Sequence, residues 1–288
     1  ITPIVYEQRI PRLGKGVDAT RTVQPEAMQR VVDVLLEYKA MCQAHRADRV
    51  IVCGTSALRD AQNRDEFAAL IRSATGFTLE VLSGEDEAYW TYRGAVSGVP
   101  GVHRATVVDI GGGSTEITIG TQEAILRAVS LDIGSVRLTE RHFLHDPPTD
   151  AELAMAIAHV KDELLRVDTD DLAGTTAIGV AGTVTSLAIL AQERKEFSIE
   201  AVTNYHLSKE QVHRLFRRLQ NMPSAKIREL STVLEGRSDV ILAGTLILRE
   251  LMEYCSFQEI IVSERGVRYG LVLREWERQQ KERSRGLV

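Results

Sequence analysis

Residues 107–120, VVDIGGGSTEITIG, limit most sharply what this chain can fold into. An apolar strand ends at Asp109, passes through Gly111, Gly112 and Gly113, and re-enters a strand at Glu116. A tight hairpin needs one or two glycines. Three of them, flanked by two acids, suit a turn whose N–H groups converge on an anion, with the hydroxyls of Ser114 and Thr115 as further donors. Asp109 and Glu116 stand on opposite shoulders of that turn. Both can reach a hard cation, Mg²⁺ or Mn²⁺, that bridges to a bound phosphate. The pattern is neither a Walker A loop, which needs Gly-Lys-Ser/Thr opening a helix, nor a dinucleotide turn.

Around this motif the chain alternates strand-like and helix-like patterns, the signature of an α/β fold. Residues 3–10, 50–53 and 79–82 read as strands. Pro25 opens a helix reaching to about His45, and Asn63 with Glu66 has capping-box spacing. A third helix is expected from Gly84. Gly98, Pro100 and Gly101 break the pattern, which places a boundary between domains 1–102 and 103–288. In the second domain, strands are expected at 107–120, 125–129, 176–181 and 259–262, and helices at 208–221 and 239–257. Thr149 and Glu152 form another capping box, and the tail 267–285 reads as a helix whose charged face includes Arg274, Arg278, Lys281, Arg283 and Arg285.

With 288 residues, 44% of them apolar, the chain can bury two such layers. Its three cysteines, Cys42, Cys53 and Cys255, are odd in number and far apart, which suits thiols in a reducing compartment. Neither a secretory leader nor a membrane span is legible, so the cytosol is the expected location. A net charge of −5 argues against nucleic acid as partner. A negative protein can still bind a smaller polyanion, given backbone N–H groups, a metal and a few placed arginines.

A second turn, Gly182 and Thr183 at the end of the 176–181 strand, opens a helix. Ordinary capping and phosphate binding both fit it.

Five further segments repeat a known pattern: GTSALRDAQN (54–63), SGEDEAYW (83–90), VAGTVTSLA (180–188), RSDVILAGTLIL (237–248) and VSERGVRYG (262–270). With the glycine loop, they resemble the exopolyphosphatase / guanosine pentaphosphatase family, within the actin, heat-shock-chaperone and sugar-kinase superfamily. The resemblance implies an α/β fold of two actin-like (ribonuclease H-like) domains with the active site in an interdomain cleft. The C-terminal helix belongs to the second domain and is able to pack back on the first. By the same resemblance Glu87 is the general base that activates water, Arg59 contacts phosphate near the scissile bond, and Thr55 is a weaker donor. Ser263, Arg268 and Gly270 match another family segment, whose arginine is phosphate-facing or structural. The family's first phosphate-binding hairpin is not found here. The natural protein is therefore expected to carry about two more strands, about 20 residues, upstream.

The implied activity is Mg²⁺-dependent hydrolysis of the terminal phosphoanhydride of inorganic polyphosphate. Guanosine pentaphosphate is the alternative substrate. A kinase of the same superfamily and a non-catalytic sensor of polyphosphate or alarmones are the competing classes. Long members of the family add a helical domain without counterpart here, which favours shorter chains or a nucleotide unless a homodimer extends the groove.

Overall fold

The computed structural model describes residues 1–122 and 124–284, so Arg285 of the tail lies outside the described residues. The chain divides into two compact units, one of Ile1–Asp86 and one from Glu87 onward. That division falls one helix earlier than the Gly/Pro break at 97–103. The intervening helix buries Tyr92 and Ala95 with Ala105, Val107, Ile178 and Val180 of the second unit, and shared apolar burial groups it there.

In the first unit, α1 (Val17–Thr20), α2 (Pro25–Ala44), β1 (Val52–Gly54), α3 (Ser56–Asp60), α4 (Arg64–Thr75) and β2 (Leu79–Val81) follow in order. β1 and β2 pair in parallel, with Val52 opposite Leu79. Their connection packs Leu58, Phe67 and Ile71 against Val23, Met28 and Val32. Pro25 stands at the start of α2, where its missing N–H costs nothing.

Two sequence expectations fail in this unit. Residues 3–10 form no ladder, and Ile4 is 81% exposed. Alternating apolar residues signal strand propensity, but a strand also needs a neighbour. Asn63 precedes α4 without capping it. Its side-chain amide is committed to Val23, accepting from that N–H at 2.9 Å and donating to that carbonyl at 2.9 Å.

The second unit runs α5 (Gly84–Val96), β3 (Arg104–Ile110), β4 (Thr115–Thr121), β5 (Ile125–Leu131), α6 (Ser135–His142), α7 (Asp150–Leu164), β6 (Thr176–Val180), α8 (Ala181–Ala191), α9 (Ile199–Val202), β7 (Tyr205–Ser208), α10 (Lys209–Leu219), α11 (Ser224–Arg228), α12 (Ile241–Tyr254), β8 (Glu259–Val262) and α13 (Val267–Ser284). Its six-stranded sheet has the order β5-β4-β3-β6-β8-β7. The centre, β3-β6-β8, is parallel and the flanks are antiparallel. β3 is buried along most of its length because both sheet faces are covered. One face carries α5. The other faces a large core in which Val108, Ile110 and Ile117 join Leu187, Leu246 and Leu251.

Thr149 and Glu152 form the expected capping box of α7. α5 and α13 cross at glycines: a Cβ on Gly94 would meet the Gly266 carbonyl oxygen at 2.3 Å, and Arg93 bridges Glu277 at 2.6 Å. A Cβ on Gly270 would collide with the Trp90 backbone carbonyl of α5, so Gly270 serves close helix packing. All three cysteines are free; Cys255 is buried, which pushes its thiol up to about 12. Among the described residues no helix is long and apolar enough to cross a membrane.

Candidate active site

The glycine loop connects β3 to β4, and its geometry follows from that hairpin. Gly111 closes the turn by donating its N–H to the Ser114 carbonyl at 3.0 Å, so this N–H is spent within the loop. The loop carbonyls point into the start of α6. Ser135 N–H donates to the Gly111 oxygen at 2.9 Å, and Val136 and Arg137 N–H groups donate to the Gly112 oxygen at 2.9 and 3.0 Å. Those are N–H groups that a helix start leaves without intrahelical partners. The N–H groups of Gly112, Gly113 and Ser114 make no hydrogen bond among the described residues, which leaves them for an anion. Thr115 is different: its hydroxyl is buried and donates to the Ile133 carbonyl at 2.6 Å, so it is not turned toward a ligand.

Gly134 holds this arrangement together. A Cβ there would meet the Gly112 carbonyl oxygen at 2.4 Å, a collision with backbone rather than a movable side chain. Sequence reasoning missed Gly134 and α6, although a signal existed. Asp132-Ile133-Gly134-Ser135 echoes the Asp109-Ile110-Gly111 theme one strand later.

Asp109 and Glu116 are directly opposite in the β3–β4 register. Glu116 is buried and accepts from Ser130 Oγ on β5 at 3.0 Å. Glu87 lies in the first turn of α5, buried on the same unit. Burial first, then the charges of Glu116 and Glu87, hold the Asp109 carboxyl well above the usual carboxylate range. The negative charge of Glu116 and Glu87 reaches Asp109, and a cation there would offset it. Among the described residues no group of three or more His, Cys, Asp or Glu has metal-holding geometry. The Asp109–Glu116 pair nonetheless fits Mg²⁺, which takes one or two carboxylates and completes its shell with water and phosphate oxygens.

The second turn lies alongside. Asp109 is paired with Val180 in the parallel β3–β6 register, so the Gly182–Thr183 turn follows immediately beside it. Ala181 takes φ 67°, a strained value for a residue with a side chain, and no side chain caps α8. A Cβ on Gly182 would meet the Arg237 guanidinium at 2.4 Å. Arg237 donates to the Gly182 carbonyl at 3.0 Å and to Ser186 Oγ at 3.2 Å, bracing the turn from behind. It lies inside the 237–248 motif, yet nothing local in the sequence announces that contact. Thr183 is buried and packs toward Gly244 of α12.

Thr55 and Arg59 belong to the first unit. Thr55 precedes α3 without capping it, and Arg59 donates to the Leu82 carbonyl at 3.2 Å, lying along the end of β2. Arg268 is exposed in the first turn of α13, whereas Ser263 is buried and donates to the Ala95 carbonyl at 3.4 Å.

The sequence profile of the Ppx/GppA phosphatase family matches residues 1–279. The chain is 38% identical to exopolyphosphatase 2 of Mycobacterium tuberculosis, over 93% of this chain and 87% of that protein. It is 32% identical to the guanosine-5'-triphosphate,3'-diphosphate pyrophosphatase of Vibrio cholerae, over 92% of this chain and 52% of that one. The crystal structure of a Ppx/GppA family member from Aquifex aeolicus is similar with a TM-score of 0.79 at 31% identity, covering 96% of this chain and 90% of that one.

Proposed function

The chain belongs to the Ppx/GppA phosphatase family, and on that premise we propose that it is an exopolyphosphatase, hydrolysing the terminal phosphoanhydride of inorganic polyphosphate. The observation that carries the reading is the carboxylate group of Asp109, Glu116 and Glu87 set beside a turn with open N–H groups. The terminal phosphate is held by the N–H groups of Gly112, Gly113 and Ser114 and by those opening α8 at Gly182 and Thr183. Arg59, Thr55 and Arg268 carry the phosphate contacts that family resemblance gives them. Asp109 and Glu116 are the residues that would hold Mg²⁺ or Mn²⁺, and the ion would supply charge neutralisation to the phosphate.

Glu87 takes a proton from water as the water oxygen bonds to phosphorus. The bridging P–O bond then breaks, and its electron pair leaves with the shortened chain. A cytosolic location and a homodimeric state belong to the same reading.

Identity to a guanosine pentaphosphate-directed relative favours that nucleotide as the second reading. The test is phosphate release from long polyphosphate, tripolyphosphate and guanosine pentaphosphate with Mg²⁺, by the wild type and Glu87→Gln. Losing Glu87 as base is expected to lower turnover by about 10²–10⁴ while binding persists. Near-normal release by Glu87→Gln would remove Glu87 from the mechanism, and faster release from the nucleotide would favour the second reading.

A further inference from the structure

α10 has an apolar face of Val212, Leu215, Phe216 and Leu219 turned into the core. Its opposite face carries Arg214, Arg217 and Arg218, all exposed. Among the described residues none of these three guanidiniums has an ion pair or hydrogen bond. The basic residues at the start of the helix are treated differently: Lys209 and His213 both engage Glu253, at 3.4 and 2.8 Å. Glu210 is the one acid on α10, one turn before Arg214. Positive charge is thus neutralised at one end of the helix and left open at the other.

The sheet register gives that asymmetry a direction. β6 and β8 are parallel and both end on the side of the Gly182 turn, Gly179 being opposite Val262. β7 runs against β8, starting at Tyr205 beside Val262 and finishing at Ser208 beside Glu259. α10 begins there, with Lys209 and His213 against Glu253 near the end of α12. Further along, Phe216 lies under Arg249, nearer the start of α12, where Gly244 packs against Thr183. Arg217 and Arg218 therefore lie toward the phosphate-binding end. The chain then passes through α11 and reaches Arg237, which braces Gly182.

Three like charges at spacings of one, three and four residues repel one another on a bare helix. In a chain of net charge −5, leaving them unpaired has a cost that a polyanion would remove. We infer that the exposed arginine face of α10 is a second polyphosphate-binding site, which holds phosphates of a long chain whose terminal phosphate occupies the glycine turns. This rests on the exopolyphosphatase reading and extends it to chain-length preference. It also runs against the sequence-level expectation that shorter chains are favoured.

The test compares the wild type, R214Q/R217Q/R218Q and R214K/R217K/R218K on long polyphosphate and on tripolyphosphate. Without the three guanidinium charges, the glutamine variant should show a KM for the long polymer raised about tenfold, and the slope of log KM against log salt reduced by about two. Its kcat, and its KM for tripolyphosphate, should stay at the wild-type values, and the lysine variant should keep the low KM. Equal KM values of wild type and glutamine variant for the long polymer would overturn the proposal.

Should the glutamine variant not fold, the wild type alone decides: equal salt slopes for long and short substrates overturn the site. Equilibrium binding of long polyphosphate in the Glu87→Gln background separates this proposal from the catalytic one. There, undiminished binding on removing the arginines sinks the site even where hydrolysis is as proposed, and arginine-dependent binding supports it even where hydrolysis fails. Single-stranded RNA bound as tightly, with the same dependence on the three arginines, would reassign the face to nucleic acid.

Discussion

Asp109 and Glu116 face each other across the β3–β4 ladder, two acids in directly opposed positions of an antiparallel pair. Like charges so placed destabilise a sheet, and the Asp109 carboxyl responds by holding its proton well above the ordinary range, through burial and then the charges of Glu116 and Glu87. Stability rises with pH only where the unfolded chain binds more protons. For Asp109 the folded chain holds the extra proton, so in EDTA the melting temperature should fall as pH climbs from about 4, the unfolded value, toward the raised folded value. Asp109→Asn should flatten that slope. Mg²⁺ at about 100 times its dissociation constant should restore about 2.7 kcal/mol to the wild type and little to the variant. Melts showing the same pH slope in both proteins would remove Asp109 as its source.

Arg59 leans on the Leu82 carbonyl at 3.2 Å, a contact that helps to orient its guanidinium. If it stabilises charge on the transferred phosphate, Arg59→Ala should lower kcat by about 10²–10³ with a smaller change in KM. Arg59→Lys should recover only part, since an ammonium cannot reproduce the planar fork. Steady-state kinetics on polyphosphate decide it, and wild-type kcat in Arg59→Ala would leave the arginine a structural role.

The glycine loop was legible because its information is local: strand, acid, three glycines and strand follow within one short stretch. The α7 cap was legible for the same reason. Asn63 misled because its amide bonds Val23, 40 positions away in sequence. Residues 3–10 misled because β propensity says nothing of a partner strand. The brace of Arg237 on Gly182 and the turning of Gly111 and Gly112 carbonyls into α6 are tertiary facts, set by how β3, β6 and the helices stack. Ala181 at positive φ runs against its own side chain, which no sequence preference announces.

Gly134 and Gly174 make a matched pair of glycine tests. Gly134 is pressed against the Gly112 backbone, whereas Gly174 has open space around it and needs glycine only for its φ of 72°. Gly134→Ala should push the loop off its position, and a displacement of about 1 Å costs about 100-fold in rate. Gly174→Ala should cost about 1 kcal/mol of stability through its left-handed backbone and leave kcat unchanged. Melting curves read beside phosphate release separate the two effects.

Glu152 joins several contacts at the start of α7. Its carboxylate accepts from the Thr149 N–H at 2.8 Å, from the Leu144 N–H at 3.0 Å, and pairs with His145 Nδ1 at 2.8 Å. The His145 hydrogen bond, followed by those from the backbone, draws its carboxyl down to about 2. A depressed folded value means that the unfolded chain takes the proton first as pH falls. The stabilisation from Glu152 is therefore complete at neutral pH and is lost between the ordinary carboxylate range and about 2. Glu152→Gln should remove this acid-range dependence. Thr149→Ala, which deletes the cap, should cost about 1 kcal/mol at neutral pH. Urea unfolding at neutral and acid pH measures both, and a Glu152→Gln protein that keeps the wild-type acid slope would assign that slope to other carboxylates.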